Sequence, residues 1–225
     1  MILTIILAVT KYPEVQTRAR TELDEVCRVE RMPLFSDFDR LPYINCIIKE
    51  ALRWRPTLGH TASTLERSLE SSPSTDDSLT IVELDDEYMG MLLPKDSMIW
   101  LAAWAIHQDE NIYPEPERFN PDRFLGHKKL ANDLHHYGYG AGRRMCPGIH
   151  LAERSMWRVT AKLLWAFDLQ ELPDEPLDVN AYTSSNLVRP LAYKVKVTPR
   201  SEAHMQVLQG ELQGALDFLA QYDER

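Results

Sequence analysis

Tyr139-Gly140-Ala141-Gly142-Arg143-Arg144-Met145-Cys146-Pro147-Gly148 is the stretch that decides what this chain is. Its glycines permit tight, positive-φ turns and let the backbone approach a flat partner closely. Cys146 stands just before a long helical pattern, where free N–H groups and the helix dipole favour a thiolate. Pro147 suits a first helical turn. Arg144, two residues ahead of the cysteine, is placed to neutralise an anion on the same partner. A thiolate on a glycine loop beside a planar dianion is how a protein ligates haem iron through sulfur. The competing reading is an inert buried cysteine after an ordinary glycine loop. For a lone cysteine that is the commoner case.

Downstream, the pattern predicts a helix from about Gly148 to Phe167. Ala152, Met156, Val159, Leu163 and Ala166 form its apolar face, and His150, Arg154, Arg158 and Lys162 a basic stripe. Tyr193, Val195 and Val197 alternate with Lys194, Lys196 and Thr198, as in a half-buried strand. Ser201 is a cap for a last amphipathic helix over 201–222, carrying Val207, Leu208, Leu212, Leu216 and Leu219.

Upstream, Pro114, Pro116 and Pro121 exclude regular helix or central strand from that stretch. Met98 to Ile106 is nearly all apolar and is expected to be buried. Tyr88 to Asp96 reads as strand, turn, strand. The run SLESSPSTDDS, Ser68 to Ser78, is low in hydrophobics; 68–81 is expected to be a disordered insertion. Pro42 opens a helix over Tyr43–Trp54 whose Ile44, Ile47, Ile48, Ala51 and Leu52 predict burial over much of its surface. Before it, Pro13 opens an amphipathic helix with Val15, Ala19, Leu23 and Val26 inward.

The chain has 225 residues and a mass of 26.0 kDa, enough for a sizeable core. No linker separates two self-sufficient cores, so 1–225 reads as a single domain, mostly helical with a few short strands. The net charge of −9 argues against a nucleic-acid partner, which needs a basic face. Three cysteines, Cys27, Cys46 and Cys146, give no disulfide framework. The apolar start, Met1 to Val9, is short of the ~20 residues a membrane span needs. His135-His136 lacks a Cys or His partner at zinc spacing.

A second mark is Glu50-Ala51-Leu52-Arg53, a charged i, i+3 pair on an otherwise apolar helix, where burial demands that both charges be satisfied. A third is Pro116-Glu117-Arg118-Phe119 followed by Asn120-Pro121-Asp122-Arg123-Phe124. With these three marks in this order, the chain resembles the C-terminal half of a cytochrome P-450 monooxygenase of filamentous-fungal type. The family's haem loop falls on Tyr139, Gly142, Arg144, Cys146 and Gly148, with Tyr139 where phenylalanine is usual. The resemblance implies a partial cytochrome P-450 fold of α+β class. Cys146 would be the axial ligand to the iron of haem b, and Arg144 would pair a haem propionate. Glu50, Arg53 and Arg118 would brace the meander before the haem loop and would not be catalysts.

The resemblance further implies mono-oxygenation of a small apolar organic molecule in fungal secondary metabolism. Electrons would come from NADPH through a separate reductase, which the basic stripe would dock. In the family the setting is the cytosolic face of the endoplasmic reticulum membrane. Family members are considerably longer, and their anchor and oxygen-activating acid–threonine pair would precede Met1. The sequence therefore also supports an alternative, a truncated and non-catalytic remnant. The isolated 225-residue chain is expected to bind haem weakly or not at all and to show no monooxygenase activity. His60 lies near the place of a propionate-binding residue without matching it, and Ala181 to Leu187 resembles the family's last substrate-contacting turn.

Overall fold

The computed structural model describes residues 1–58, 80–81, 85–99, 101–126, 137–141, 145–184 and 187–223. Six helices and six short strands are present among them, α1 (Ile2–Lys11), α2 (Pro13–Val26), α3 (Pro42–Trp54), α4 (Ala103–His107), α5 (Ile149–Ala166) and α6 (Glu202–Asp223), with β1 (Thr80–Ile81), β2 (Asp86–Tyr88), β3 (Met91–Leu93), β4 (Met98–Ile99), β5 (Phe167–Gln170) and β6 (Lys196–Pro199). The strands form three antiparallel pairs, β1–β4, β2–β3 and β5–β6. None of the described helices is long and apolar enough to cross a membrane.

The core is one cluster shared by α1, α2, α3 and α5. Its centre is α3, whose exposed side the sequence leaves almost no room for. Ile44, Ile47, Ile48 and Ala51 are fully buried, and so are the charged Lys49, Glu50 and Arg53. Prolines start both α2 and α3, where a missing N–H costs nothing. The next amide of α3, that of Tyr43, donates to both Glu22 carboxylate oxygens at 3.1 and 3.0 Å. A carboxylate from α2 thus caps α3 and fixes the angle between the two helices. Gln16 of α2 reaches across to β5, donating to Leu169 O at 2.9 Å and accepting from Leu169 N at 2.9 Å, as a neighbouring strand would.

Helix α5 lies against α2 and α3. Its inward residues are Met156, Trp157, Thr160, Ala161, Leu164 and Trp165, whereas Val159 is 45% exposed. Of the apolar face read from the sequence, Met156 and Ala166 are buried and Ala152 and Leu163 pack on the core; only Val159 lies outside. The two indoles carry the larger apolar areas and take the inward positions, leaving Val159 outside. Ser201 caps α6, its Oγ accepting from His204 N at 3.3 Å. Val207 and Leu208 pack on the core, but Leu212, Leu216 and Leu219 are exposed.

Three further expectations need correction. Thr80 and Ile81, counted with the Ser-rich insertion, form β1 and pair with Ile99 and Met98; the rest of that insertion lies outside the described residues. The apolar run 98–106 is not buried over its described side chains, since Leu101 and Ala105 are exposed. Helix α4 packs on α3, and of its five residues only His107 is buried. Val197 of β6 is also exposed, because β5–β6 is a two-stranded ribbon with an open face.

Candidate functional site

Cys146 is the one exposed cysteine of the three; Cys27 and Cys46 are buried. Burial pushes the Cys46 thiol up to about 11 and also raises that of Cys27, so both are held as thiols. Cys146 sits just ahead of the first turn of α5. Its amide donates to Tyr139 O at 3.0 Å, closing the loop between them. At the loop's other side Gly140 N donates to Tyr137 O at 3.0 Å, and Gly140 adopts φ +81°, a conformation that favours glycine. A Cβ built on Gly148 would stand 3.8 Å from Cys146 Sγ, so the glycine leaves the sulfur open on that side. Tyr139 and Gly148 are thus brought to Cys146. Gly142, Arg143 and Arg144 lie outside the described residues, as do His60, Trp100 and His135-His136.

Behind the loop are two buried polar atoms without a hydrogen-bond partner among the described residues, the Tyr139 hydroxyl and Glu153 Oε1. Burial raises the Tyr139 phenol well above its ordinary value, with Glu153 and then Cys146 adding to the rise. Burial likewise pushes the Glu153 carboxyl up to about 7, against the opposing pull of the Lys49 ammonium. The Tyr139 hydroxyl makes no hydrogen bond to sulfur. The residue acts on Cys146 through its backbone carbonyl.

The brace is built on α3. Arg53 Nε and Nη2 grip the Glu50 carboxylate at 2.7 and 2.8 Å, with both side chains fully buried. Arg53 also donates to His107 O and to Pro116 O, each at 2.8 Å. Glu50 Oε1 accepts from Asn120 N at 2.8 Å and from Arg123 Nε at 3.3 Å. The second arginine of the cluster is therefore Arg123, not Arg118. The side chain of Arg118 is exposed, and the described bonds at that residue involve only its backbone: its carbonyl accepts from Arg53 at 3.5 Å and Arg123 at 3.4 Å, and its amide donates to Glu115 O at 3.1 Å. The sequence holds the same Pro-acid-Arg-Phe pattern twice, five residues apart, at 116–119 and 121–124. Phe119 and Phe124 are both buried, so apolar patterning does not separate the two registers. The separation comes from the 3-10 turn Pro121–Phe124, capped by Asn120 Oδ1, which points Arg123 back at Glu50. From there its guanidinium also donates to Pro114 O and Glu115 O.

His107 escapes sequence reasoning altogether. It is fully buried, and its Nε2 accepts from Tyr137 N at 2.9 Å. A single histidine ending an apolar run carries no pattern that reveals such a bond. The basic stripe is partly spoken for: Lys162 pairs with Glu211 at 2.9 Å, and the Arg154 guanidinium lies 5.1 Å from the Phe35 ring centre. His150 and Arg158 are exposed.

The donor set fits haem. One exposed thiol heads a helix, a glycine turn keeps the backbone low beside it, and a fully satisfied charge cluster backs the loop. A profile of the cytochrome P450 family matches residues 2–197. The chain is 44% identical to cytochrome P450 monooxygenase yanC of Aspergillus niger, an alignment covering 99% of this chain and 42% of that protein. It is 43% identical to cytochrome P450 monooxygenase macC of Penicillium terrestre, again over 99% of this chain and 42% of the relative. Among solved structures, a zebra fish cytochrome P450 with abiraterone superposes with a TM-score of 0.73 at 28% identity, covering 88% of this chain and 44% of that one. The chain thus spans about 42% of the length of the curated relatives it matches.

Proposed function

Because the chain belongs to the cytochrome P450 family, we propose that it carries the thiolate half of a haem monooxygenase site, with Cys146 as the residue that would hold the haem iron. The observation that carries the reading is the exposed Cys146 at the head of α5, tied by its amide to Tyr139 O beside a positive-φ glycine. Haem, when bound, supplies oxygen activation, which electron donation from the sulfur promotes. This chain's part is to hold and orient the sulfur. Tyr139 fixes the Cys146 amide, Gly148 keeps the sulfur uncovered, and Arg144 is proposed to meet a propionate. Glu50, Arg53 and Arg123 hold the meander against α3.

The substrate is proposed to be a small apolar organic molecule of fungal secondary metabolism, in keeping with the fungal monooxygenases to which the chain is similar. The electron source is proposed to be NADPH through a separate reductase, and the setting the cytosolic face of the endoplasmic reticulum. The test of the ligand is a chimera in which this chain replaces the matching part of a fungal relative. The reduced carbon monoxide spectrum should show the long-wavelength thiolate Soret band. Cys146→Ser or Cys146→His should abolish it, while Cys27→Ser and Cys46→Ser keep it. Survival of the band without Cys146 ends the assignment.

A second reading, a chain that carries the loop without turnover, draws on apolar side chains left exposed on the elements nearest the site. Leu151, in the first turn of α5, is 75% exposed, and Leu101, just before α4, is 40% exposed. Water reaching an incomplete pocket would remove the dry cavity the chemistry needs. Haem, reductase, NADPH and a panel of apolar substrates supplied to the 225-residue chain test this second reading. Oxygen insertion above a Cys146→Ala control excludes the second reading.

A further inference from the structure

His107 stands between the two parts of the site, and two of its described hydrogen bonds face one part each. Its carbonyl accepts from Arg53 Nη1 at 2.8 Å, on the brace side. Its Nε2 accepts from Tyr137 N at 2.9 Å, on the loop side. The ring is fully buried and meets Tyr113 edge-on, with centroids 6.1 Å apart and planes at 87°. The Arg53 guanidinium lies over that same Tyr113 ring, 5.3 Å from its centre. An Nε2 that accepts from a backbone N–H must hold a lone pair, which assigns the ring proton to Nδ1 and makes the imidazole neutral.

The loop continues the connection. Tyr137 O accepts from Gly140 N, and Tyr139 O accepts from Cys146 N. Between Arg53 on α3 and the cysteine there is thus one intervening side chain, followed by two turn bonds. Ordinary turn chemistry would fix the loop's shape but not its place on the body of the protein. The bond from Tyr137 to a buried, rotationally locked ring fixes the place.

We propose that His107 is a positioning residue for the iron ligand: through neutral Nε2 it anchors the first residue of the Cys146 loop to the Glu50–Arg53 brace. The sulfur's role rests on the haem-thiolate reading above, whereas the anchoring of the loop does not. His107→Gln places an amide oxygen near the Nε2 position and keeps an acceptor. His107→Leu fills the space without one. His107→Asn keeps polarity but stops short, and replaces the leucine variant should that fail to fold.

Two measurements on the 225-residue chain decide. Amide hydrogen exchange should show Tyr137 protection reduced about tenfold in His107→Leu, the size of one lost buried hydrogen bond, and within about twofold of wild type in His107→Gln. Amides of α3 should be unchanged in both. Alkylation of Cys146, the exposed thiol, should change rate in His107→Leu and revert in His107→Gln. Unaltered Tyr137 protection in the leucine variant overturns the proposal. So does equal loss in the glutamine variant, or a matching loss throughout α3, which marks a merely structural role. Addition of haem separates the two claims. With the thiolate Soret band present in wild type, His107→Leu should diminish it and His107→Gln restore it; a full band in the leucine variant overturns positioning. Should the chimera of this chain with a fungal relative give no thiolate band, the haem-ligand reading falls while the exchange pattern still supports the anchor.

Discussion

The Glu50 brace and the Cys146 loop face each other across His107, and they are built on opposite principles. In the brace both charged side chains of the Glu50–Arg53 pair are fully buried and answered, by one another, by backbone carbonyls and by Arg123. The loop leaves its cysteine exposed and keeps two buried polar atoms, on Tyr139 and Glu153, without partners among the described residues. A satisfied network gives a single arrangement and resists change. An unsatisfied one is held in place by its surroundings and is ready to respond to a ligand or a proton. Support and reactivity are thus divided between two regions, and the difference can be tested one residue at a time.

The largest effect should come from breaking the brace at its centre. Glu50→Ala strands the buried Arg53 guanidinium, and a buried charge left without its partner costs about 3–5 kcal/mol. Urea unfolding of the chain should show that loss, and the haem-loaded chimera should fail to incorporate haem. A stable, haem-loaded Glu50→Ala protein with low activity would instead give Glu50 a catalytic role. Next, Arg123→Ala removes one of two guanidinium partners and leaves Glu50 its pair with Arg53. A loss of about 1.5–3 kcal/mol is expected, the range for hydrogen bonds to charged groups.

The loop side should respond to pH. Glu153 has its carboxyl raised to about 7, above the ordinary 4.5, by burial first. The folded state therefore holds a proton that the unfolded state has already lost. Its contribution to stability is complete below about 4.5 and is lost as pH rises through about 7. Glu153→Gln should raise the melting temperature relative to wild type at pH 8 and leave it unchanged at pH 4.5. Equal shifts at both pH values would show that the carboxyl does not titrate in this window. The smallest effects close the series: Arg118→Ala and Cys146→Ser should each stay within about 0.5 kcal/mol of wild type, as surface substitutions do. A loss at Arg118 as large as that at Arg123 would restore Arg118 to the cluster.

Much of this division was legible in the sequence, for reasons that also explain the errors. Proline at Pro13 and Pro42 and the apolar runs behind them marked α2 and α3, because helix starts are local chemistry. Glu50 and Arg53 were legible because two charges on an apolar helix need each other. Cys146 was legible because glycine, cysteine and helix start are neighbours in the chain. Arg118 was chosen over Arg123 because a repeated Pro-acid-Arg-Phe pattern offers two equal registers, and only the 3-10 turn after Asn120 breaks the tie. Val159 was placed inward by period alone, although Trp157 and Trp165 had more area to bury. His107 was missed because its partner, Tyr137, is 30 residues away, and a lone histidine says nothing about distance.

The span between α3 and Arg123 has a consequence for the chain's synthesis. The Glu50–Arg123 bond joins residues 73 positions apart. At roughly 5–20 residues per second, a ribosome that has made Glu50 needs about 4–15 s more before Arg123 exists. Throughout that interval helix α5, which packs on α3 in the finished molecule, has not been made, and Glu50 lacks its bond from Arg123. Helix α3, with eleven of its thirteen residues buried in the finished molecule, therefore keeps apolar surface uncovered on the nascent chain until α5 follows.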